Sequence, residues 1–191
     1  MLHSHEGGEM ILVLFGAPGV GKGTQAAILA EKLGIAHLST GDAFRAAIKN
    51  QTSVGMLAKE YVDAGKLVPD DVVARIVEEA MGGEQFASGC ILDGFPRTRA
   101  QADALDGLLT AKGLTISHVV NLEVDDDTII ARLLQRGRAD DQEDIIRNRL
   151  NVYNAETAPL LEYYSEKGLL TSVNGIGEVD EVTQRVLTAL A

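Results

Sequence analysis

One stretch near the start of the chain limits what it can fold into: Gly16-Ala17-Pro18-Gly19-Val20-Gly21-Lys22-Gly23-Thr24. Before it, Met10 to Phe15 is a continuous apolar run, short enough to be a buried strand. After it, Gln25 to Leu33 has helical spacing of apolar residues and good helix formers. Strand, glycine-rich loop and helix form the context that a phosphate-binding loop needs. Without bulky side chains the backbone curls around an anion, its N–H groups point inward, and the helix N-terminus adds positive field. Lys22 supplies a full charge. The general pattern is G-x-x-x-x-G-K-[ST], which Gly16, Gly21 and Lys22 satisfy. Gly23 stands where the hydroxyl belongs, and Thr24 comes one later. That displacement argues against a generic GTPase or motor ATPase and for a subfamily with its own rule.

The rest of the composition narrows the partners. With 191 residues and 46% apolar content, the chain supports one full core and small inserted subdomains. Its formal net charge of −11 disfavours nucleic acid and anionic membranes. An anionic ligand must therefore meet a local basic cluster, which makes the positions of the arginines informative. The lone Cys90 excludes an internal disulfide and reads as an inert core thiol. Met1 to Glu9 reads as a mobile polar tail without a secretion signal, which gives a cytoplasmic expectation. No apolar run is long enough for a membrane helix.

Along the chain, strands are expected at Ile35 to Leu38, Cys90 to Leu92, His118 to Val124 and Leu169 to Val173. Helices are expected at Asp42 to Asn50, Val54 to Ala64, Asp70 to Met81, Thr98 to Lys112, from Asp125, from about Asp141, and at Glu178 to Ala191. Pro159 should kink or break the long helix near Ala158. Strand–helix alternation after a phosphate loop gives an α/β parallel sheet with helices on both faces. Residues 39–68 form a helical excursion between two pieces of core. Arg45, read in the first turn of its helix, opposes the macrodipole and makes sense as an anion clamp. Asp93 falls at the carboxyl end of a strand, where ligands bind in open parallel sheets. A carboxylate there can orient magnesium-bound water, and a turn or cap is the alternative. Arg132, Arg136, Arg138, Arg147 and Arg149 crowd one helix–loop–helix corner, as a phosphate site would require. His37 and His118 read as structural, and Asp125-Asp126-Asp127 as a helix start rather than a metal site.

Four motifs, in order, then resemble the adenylate kinases. They are Gly16 to Gln25; Leu38-Ser39-Thr40-Gly41-Asp42 with Arg45; Asp93-Gly94-Phe95-Pro96-Arg97-Thr98 with Gln101; and Arg132, Arg136, Arg138-Ala139-Asp140-Asp141 with Arg149. The similarity runs from about Met10 to the C-terminus, and the Lys-Gly-Thr loop is that family's own form. It implies the P-loop NTPase fold with a core of residues 10–38, 69–134 and 141–191, an AMP-binding subdomain at 39–68, and a short lid at 135–140. Gly137 alone separates Arg136 from Arg138, which resembles the family's short-lid form and implies a lid without a zinc site.

The resemblance implies ATP contacts at Gly19, Val20, Gly21, Lys22, Gly23, Thr24, Arg132, Arg136 and Gly177. It implies AMP contacts at Thr40, Gly41, Arg45, Lys66, Val68, Gly94, Phe95, Arg97, Gln101, Arg138 and Arg149, with Gln101 reading the adenine edge. Lys22, Arg97, Arg132, Arg138 and Arg149 would be catalytic, with magnesium arriving on ATP and Asp93 meeting it through water. The implied reaction is ATP + AMP ⇌ 2 ADP in a cytoplasmic monomer. A UMP/CMP kinase shares the short lid, but tends to carry Ala where Thr40 stands and Asn after the Gly-Phe-Pro-Arg motif; Thr40, Thr98 and Gln101 favour AMP. A silent nucleotide sensor would need a damaged motif, and none is visible. A GTPase switch would need an Asn-Lys-x-Asp segment, which is absent.

Overall fold

The apolar run Met10–Phe15 becomes β1, the central strand of a five-stranded sheet, in the computed structural model, which describes residues 9–191. The other strands are β2 (Ala36–Ser39), β3 (Gly89–Asp93), β4 (His118–Glu123) and β5 (Leu170–Asn174). They lie in the order β2-β3-β1-β4-β5, and every neighbouring pair is parallel. Side chains alternate across a strand, so β1 feeds two cores. Ile11, Val13 and Phe15 enter one, and Leu12 and Leu14 enter the other. Burial on both faces explains why β1 is uniformly apolar rather than alternating. The expected tail, apart from Glu9, lies outside the described residues.

The described residues form nine α-helices: α1 (Lys22–Leu33), α2 (Thr40–Lys49), α3 (Ser53–Asp63), α4 (Asp70–Met81), α5 (Arg99–Ala111), α6 (Asp126–Arg136), α7 (Glu143–Val152), α8 (Pro159–Glu166) and α9 (Val179–Ala189), of which α2 and α3 pack on each other. Helices α1, α6, α7 and α9 pack on the face with Leu12 and Leu14; α4, α5 and α8 pack on the other. The sequence expectation of a doubly covered parallel sheet holds.

Two local expectations are corrected. Ser39 caps α2 by accepting the Asp42 N–H at 3.2 Å, so the helix begins at Thr40. Arg45 therefore sits in its second turn rather than its first. The long helix is interrupted at Ala158, as Pro159 implied, but the disturbance begins several residues earlier and takes a different form. The chain instead widens into a π-turn over Tyr153–Thr157, and the Ala158 N–H reaches back to the Tyr153 carbonyl at 2.8 Å. Proline lacks an N–H, and α8 absorbs it at its first position, where none is needed. Cys90 is fully buried and its thiol is pushed up to about 12 by that burial, in keeping with an inert core role.

Tyr164 is the largest fully buried side chain, packed against Phe15 and Tyr163. Its hydroxyl has no hydrogen-bond partner among the described residues. Such a group contributes its desolvation cost without return. Tyr164→Phe is therefore expected to leave stability unchanged or raise it by about 1 kcal/mol. A urea titration checks this, and a clear fall in the midpoint would contradict it.

Candidate active site

Parallel register brings separate pieces of the sequence to one sheet edge. Leu14 pairs with Asp93, Ser39 pairs with Asp93 from the other side, and Phe15 pairs with Asn121. The loops that follow β1, β2 and β3 thus open side by side at the carboxyl ends of the strands, where doubly wound sheets bind ligands. Together with the α6–α7 corner and the loop after β5 they line a cleft of about 790 Å³.

The glycine-rich loop forms the floor. Gly16 has φ 136°, and a Cβ there would stand 2.7 Å from the Leu122 carbonyl oxygen, so only glycine fits. Helix α1 starts after Gly21 with no side-chain cap and no acid in its first turn. Its first N–H groups are left for an anion. The Lys22 ammonium folds back over the loop, donating to the carbonyls of Gly16 at 2.5 Å and Ala17 at 3.0 Å. Burial lowers its pKa to about 8, and the nearby Arg97 and Arg149 act in the same direction, although Asp93 opposes them.

Asp93 lies 8% exposed at the end of β3. Burial works to raise its pKa. The His37 contact, Nε2 to Oδ2 at 3.5 Å, and the Lys22 ammonium outweigh that and hold the carboxyl below its ordinary value. Thr40 donates through Oγ1 to the Gly94 carbonyl at 2.9 Å, joining the first residue of α2 to the loop after β3. Gly94 has φ 79°, and a Cβ there would press on Thr40 Oγ1 at 2.9 Å and on the Arg97 guanidinium at 2.8 Å. Arg97 Nε donates to the same Gly94 carbonyl at 2.7 Å. The peptide between Phe95 and Pro96 is cis.

The cationic wall comes from three elements. Arg132 reaches the carbonyls of Val20 and Gly175 at 3.4 Å. Arg136 grips Asp141 with two hydrogen bonds, 2.8 and 2.6 Å. Arg149 pairs with Asp140 at 2.8 Å and touches Asp141 at 3.3 Å. The backbone N–H of Arg138 also donates to Asp141, at 3.0 Å. Burial would raise the Asp141 pKa, but these donors keep it below the usual carboxylate range. Arg138 itself has no carboxylate at ion-pair distance among the described residues. Its pKa is lowered by burial and by the charges of Arg45 and Arg136. Arg45 pairs with Asp42 at 2.5 Å on the exposed rim.

Of the residues named from sequence, Gly19, Val20, Gly21, Lys22, Gly23, Thr24, Thr40, Gly41, Arg45, Lys66, Val68, Asp93, Gly94, Arg97, Gln101, Arg132, Arg136, Arg138, Arg149 and Gly177 line this one cleft. Phe95 does not. It is 2% exposed and belongs to the core on the α5 face, because it follows a buried strand end. Arg147 is also excluded: it turns outward and pairs with Glu143 one helical turn back. Sequence reasoning missed Thr157, which lines the cleft and donates to the Arg97 carbonyl at 2.8 Å. The π-turn delivers it, and the only sequence signal was Pro159. Missed too was Tyr153, which lines the cleft and whose phenol is pushed up to about 12 by burial. Among the described residues no group of three His, Cys, Asp or Glu side chains forms a metal site, and no helix is long and apolar enough to cross a membrane.

A parallel five-stranded sheet, a glycine-rich loop running into α1, and a cation-lined cleft at the strand ends define an α/β enzyme of the P-loop NTPase class. The family model "Adenylate kinase" matches residues 14–169. The adenylate kinase of Corynebacterium glutamicum (strain R) is 55% identical over 181 residues, spanning 95% of this chain and 99% of that protein. That of Nocardia farcinica is 52% identical over the same length and shares. Adenylate kinase 1 of a Nostoc species is 50% identical over 179 residues, 94% of this chain and 97% of its own. The chain belongs to the adenylate kinase family, and it is a phosphotransferase.

The depressed Lys22 pKa makes anion binding proton-linked. A bound polyphosphate favours the charged amine and raises its pKa again. Between about pH 8 and the ordinary lysine value of 10.5, ATP binding is thus expected to take up a proton. In the free protein the same shift gives a folding penalty that is present below about pH 8 and fades as pH rises toward 10.5. Calorimetry of ATP binding in buffers of different ionisation enthalpy at pH 8.5–9 (roughly mid-window) checks the uptake. A buffer-independent enthalpy, or uptake that persists in Lys22→Met, would contradict it.

Proposed function

We propose that this cleft transfers the γ-phosphoryl group of ATP to AMP, reversibly giving two ADP. The observation that carries the reading is the convergence of Lys22, six arginines, Asp93 and the Thr40–Gln101 side of the cleft on one cavity. That cavity is lined both by the glycine-rich loop, where the donor would sit, and by residues of 39–68, where the acceptor would sit. On this reading Gly19–Thr24 with Lys22, Arg132, Arg136 and Gly177 hold ATP. Thr40, Gly41, Arg45, Lys66, Val68, Gly94, Arg97, Gln101, Arg138 and Arg149 hold AMP. Phe95 packs in the core beneath this side of the cleft.

The nucleophile is an oxygen of the AMP phosphate, which is largely ionised at neutral pH because a monoester's second pKa lies near about 6. It forms a bond to the γ-phosphorus as the bond from that phosphorus to the β–γ bridging oxygen breaks. ADP leaves as an anion, and no general base is needed. Catalysis then reduces to alignment and to neutralising charge on the transferring group. Lys22, Arg97, Arg132, Arg138 and Arg149 supply that charge, which counts for more once closure excludes water. Magnesium enters as part of the MgATP substrate and neutralises phosphate charge. A hard cation of this kind keeps most of its waters and needs few protein ligands. The donor set fits: one buried carboxylate, Asp93, stands 3.6 Å from the Cβ position of Gly23 at the start of α1 and would hold the ion through a bound water. A monomeric state and a cytoplasmic location complete the reading, both carried by the family resemblance.

Water competes with AMP for the phosphoryl group, so the cleft must close on both nucleotides. Residues 39–68 form the larger moving part. The corner after α6 is a tight turn, with Gly137 capping the helix and the Asp141 N–H bonded to the Arg138 carbonyl at 2.9 Å. A ligand-free and a bisubstrate-bound structure are expected to differ more at 39–68 than at 137–140, and the reverse would reject this division.

A coupled assay of ADP formation tests the function. Lys22→Ala is expected to lower kcat by about a hundredfold or more. Arg147→Ala, which sits on the outer face, should leave turnover within about twofold. A panel of AMP, UMP, CMP and GMP as acceptors should favour AMP, and a strong preference for UMP would overturn the acceptor assignment.

A further inference from the structure

We propose that Asp70 is a positioning residue that locks the Gln101 side-chain amide in one of its two orientations, so that the acceptor site selects a 6-amino over a 6-oxo purine. This rests on the reading of Gln101 as the group that meets the acceptor base. A glutamine amide has nearly the same shape either way round; only the sense of its hydrogen bonds differs. A free amide therefore turns to suit either kind of base.

Gln101 is not free. It is 2% exposed, and its Oε1 accepts the backbone N–H of Arg97 at 2.8 Å. Its Nε2 donates to Asp70 Oδ1 at 2.7 Å. A backbone N–H only donates, and an ionised carboxylate only accepts. Turning the amide over would set N–H against N–H and oxygen against oxygen, leaving buried groups unsatisfied. Asp70 is itself held, because Thr98 donates through Oγ1 to the same Oδ1 at 3.1 Å. The same Thr98 oxygen accepts the Gln101 N–H at 3.2 Å and caps α5. The first residue of α4 and the first turn of α5 are thus tied into a closed ring of hydrogen bonds.

The placement separates the two roles. Gln101 lines the cleft, whereas Asp70 lines a shallow outer groove with Pro69, Asn151 and Glu156. Asp70 acts through Gln101 without touching the nucleotide. What Gln101 has left to offer is one N–H and one oxygen lone pair, side by side. A 6-amino purine presents a ring nitrogen acceptor and an exocyclic N–H, which complements that pair. A 6-oxo purine seated the same way presents donor to donor and acceptor to acceptor. Two carriers of opposite sense, the Arg97 N–H and the Asp70 carboxylate, fix the choice.

The test compares Asp70→Ala, Asp71→Ala and Gln101→Ala, with AMP and inosine monophosphate as acceptors at saturating ATP. Asp70 is half-buried at a helix start, a position where alanine is tolerated. Asp70→Ala is expected to lower the AMP-to-IMP ratio of kcat/KM by about tenfold. The loss should lie in KM for AMP, with kcat and KM for ATP held within about twofold. Asp71→Ala removes the same charge from the first turn of α4 but lies away from Gln101, and should leave the ratio alone. If Gln101→Ala lowers the ratio and Asp70→Ala does not, the role of Asp70 is overturned while the reading of Gln101 stands. An unchanged ratio in Gln101→Ala removes the base reader itself. Equal losses in Asp70→Ala and Asp71→Ala would assign the effect to helix charge and overturn the proposal.

Discussion

Asp141 has a fully buried side chain, and its carboxylate accepts from Arg136, from Arg149 and from the backbone of Arg138. The cleft depends on this arrangement. Guanidinium groups brought together without a counterion repel and lose hydration, and a buried charge is tolerated only when paired and hydrogen-bonded. One carboxylate with several lone-pair sites serves two arginines and fixes the corner that follows α6. Asp140 completes the arrangement on Arg149. The cations are thus organised before a phosphate arrives, and the cost of ordering them belongs to folding rather than to each turnover. Arg138 joins the network only through its backbone N–H; its guanidinium has no carboxylate at ion-pair distance among the described residues, although Asp42 and Asp140 stand within its field.

The same economy of counterions explains the rest of the cleft. Lys22 leans on two carbonyls of its own loop, and Asp93 stands within its field. In an acidic chain, the first turns of α4, α6, α7 and α9 carry acids, while that of α1 carries none. Acids there would neutralise the field that an anion needs. The overall charge of −11 and the positive cleft are therefore compatible, because the negative charge is placed where helices use it.

Much of this was legible from residues alone. The sheet followed from continuous apolar runs alternating with amphipathic stretches, and the glycine-rich loop announced its own geometry. Lys22, Asp93, Arg97 and the arginine corner were visible because their residue types conflict with a bland surface role. The failures are physical. Phe95 sits inside a motif that otherwise faces the cleft, and one-dimensional spacing does not say which way a residue at a strand end turns. Arg147 is two residues from Arg149, which on a helix is about half a turn away, so the charge cluster divided between two faces. The start of α2 moved two residues earlier because Ser39, the first of three polar residues able to cap it, is the one that does. Thr157 was invisible because a π-turn rotates the chain by one extra residue, and Pro159 signals a disturbance without its form.

Register is what turns these separate pieces into one site. Lys22 and Asp93 are far apart in sequence, yet Leu14 and Asp93 are direct partners across β1 and β3. Ser39 joins from β2, two residues before Gly41 and one before Thr40. A slip of one residue in either pairing would turn alternate side chains to the opposite core and carry Asp93 out of the cleft. Both faces of β1 are buried, and the two cores take different side chains: Phe15 and Val13 on one side, Leu14 and Leu12 on the other. Misregister would thus place each large side chain in a space shaped for another. The packing of the cores, which contains no chemistry, is what holds the glycine-rich loop, the Asp93 carboxylate and the Thr40 hydroxyl in a single cleft.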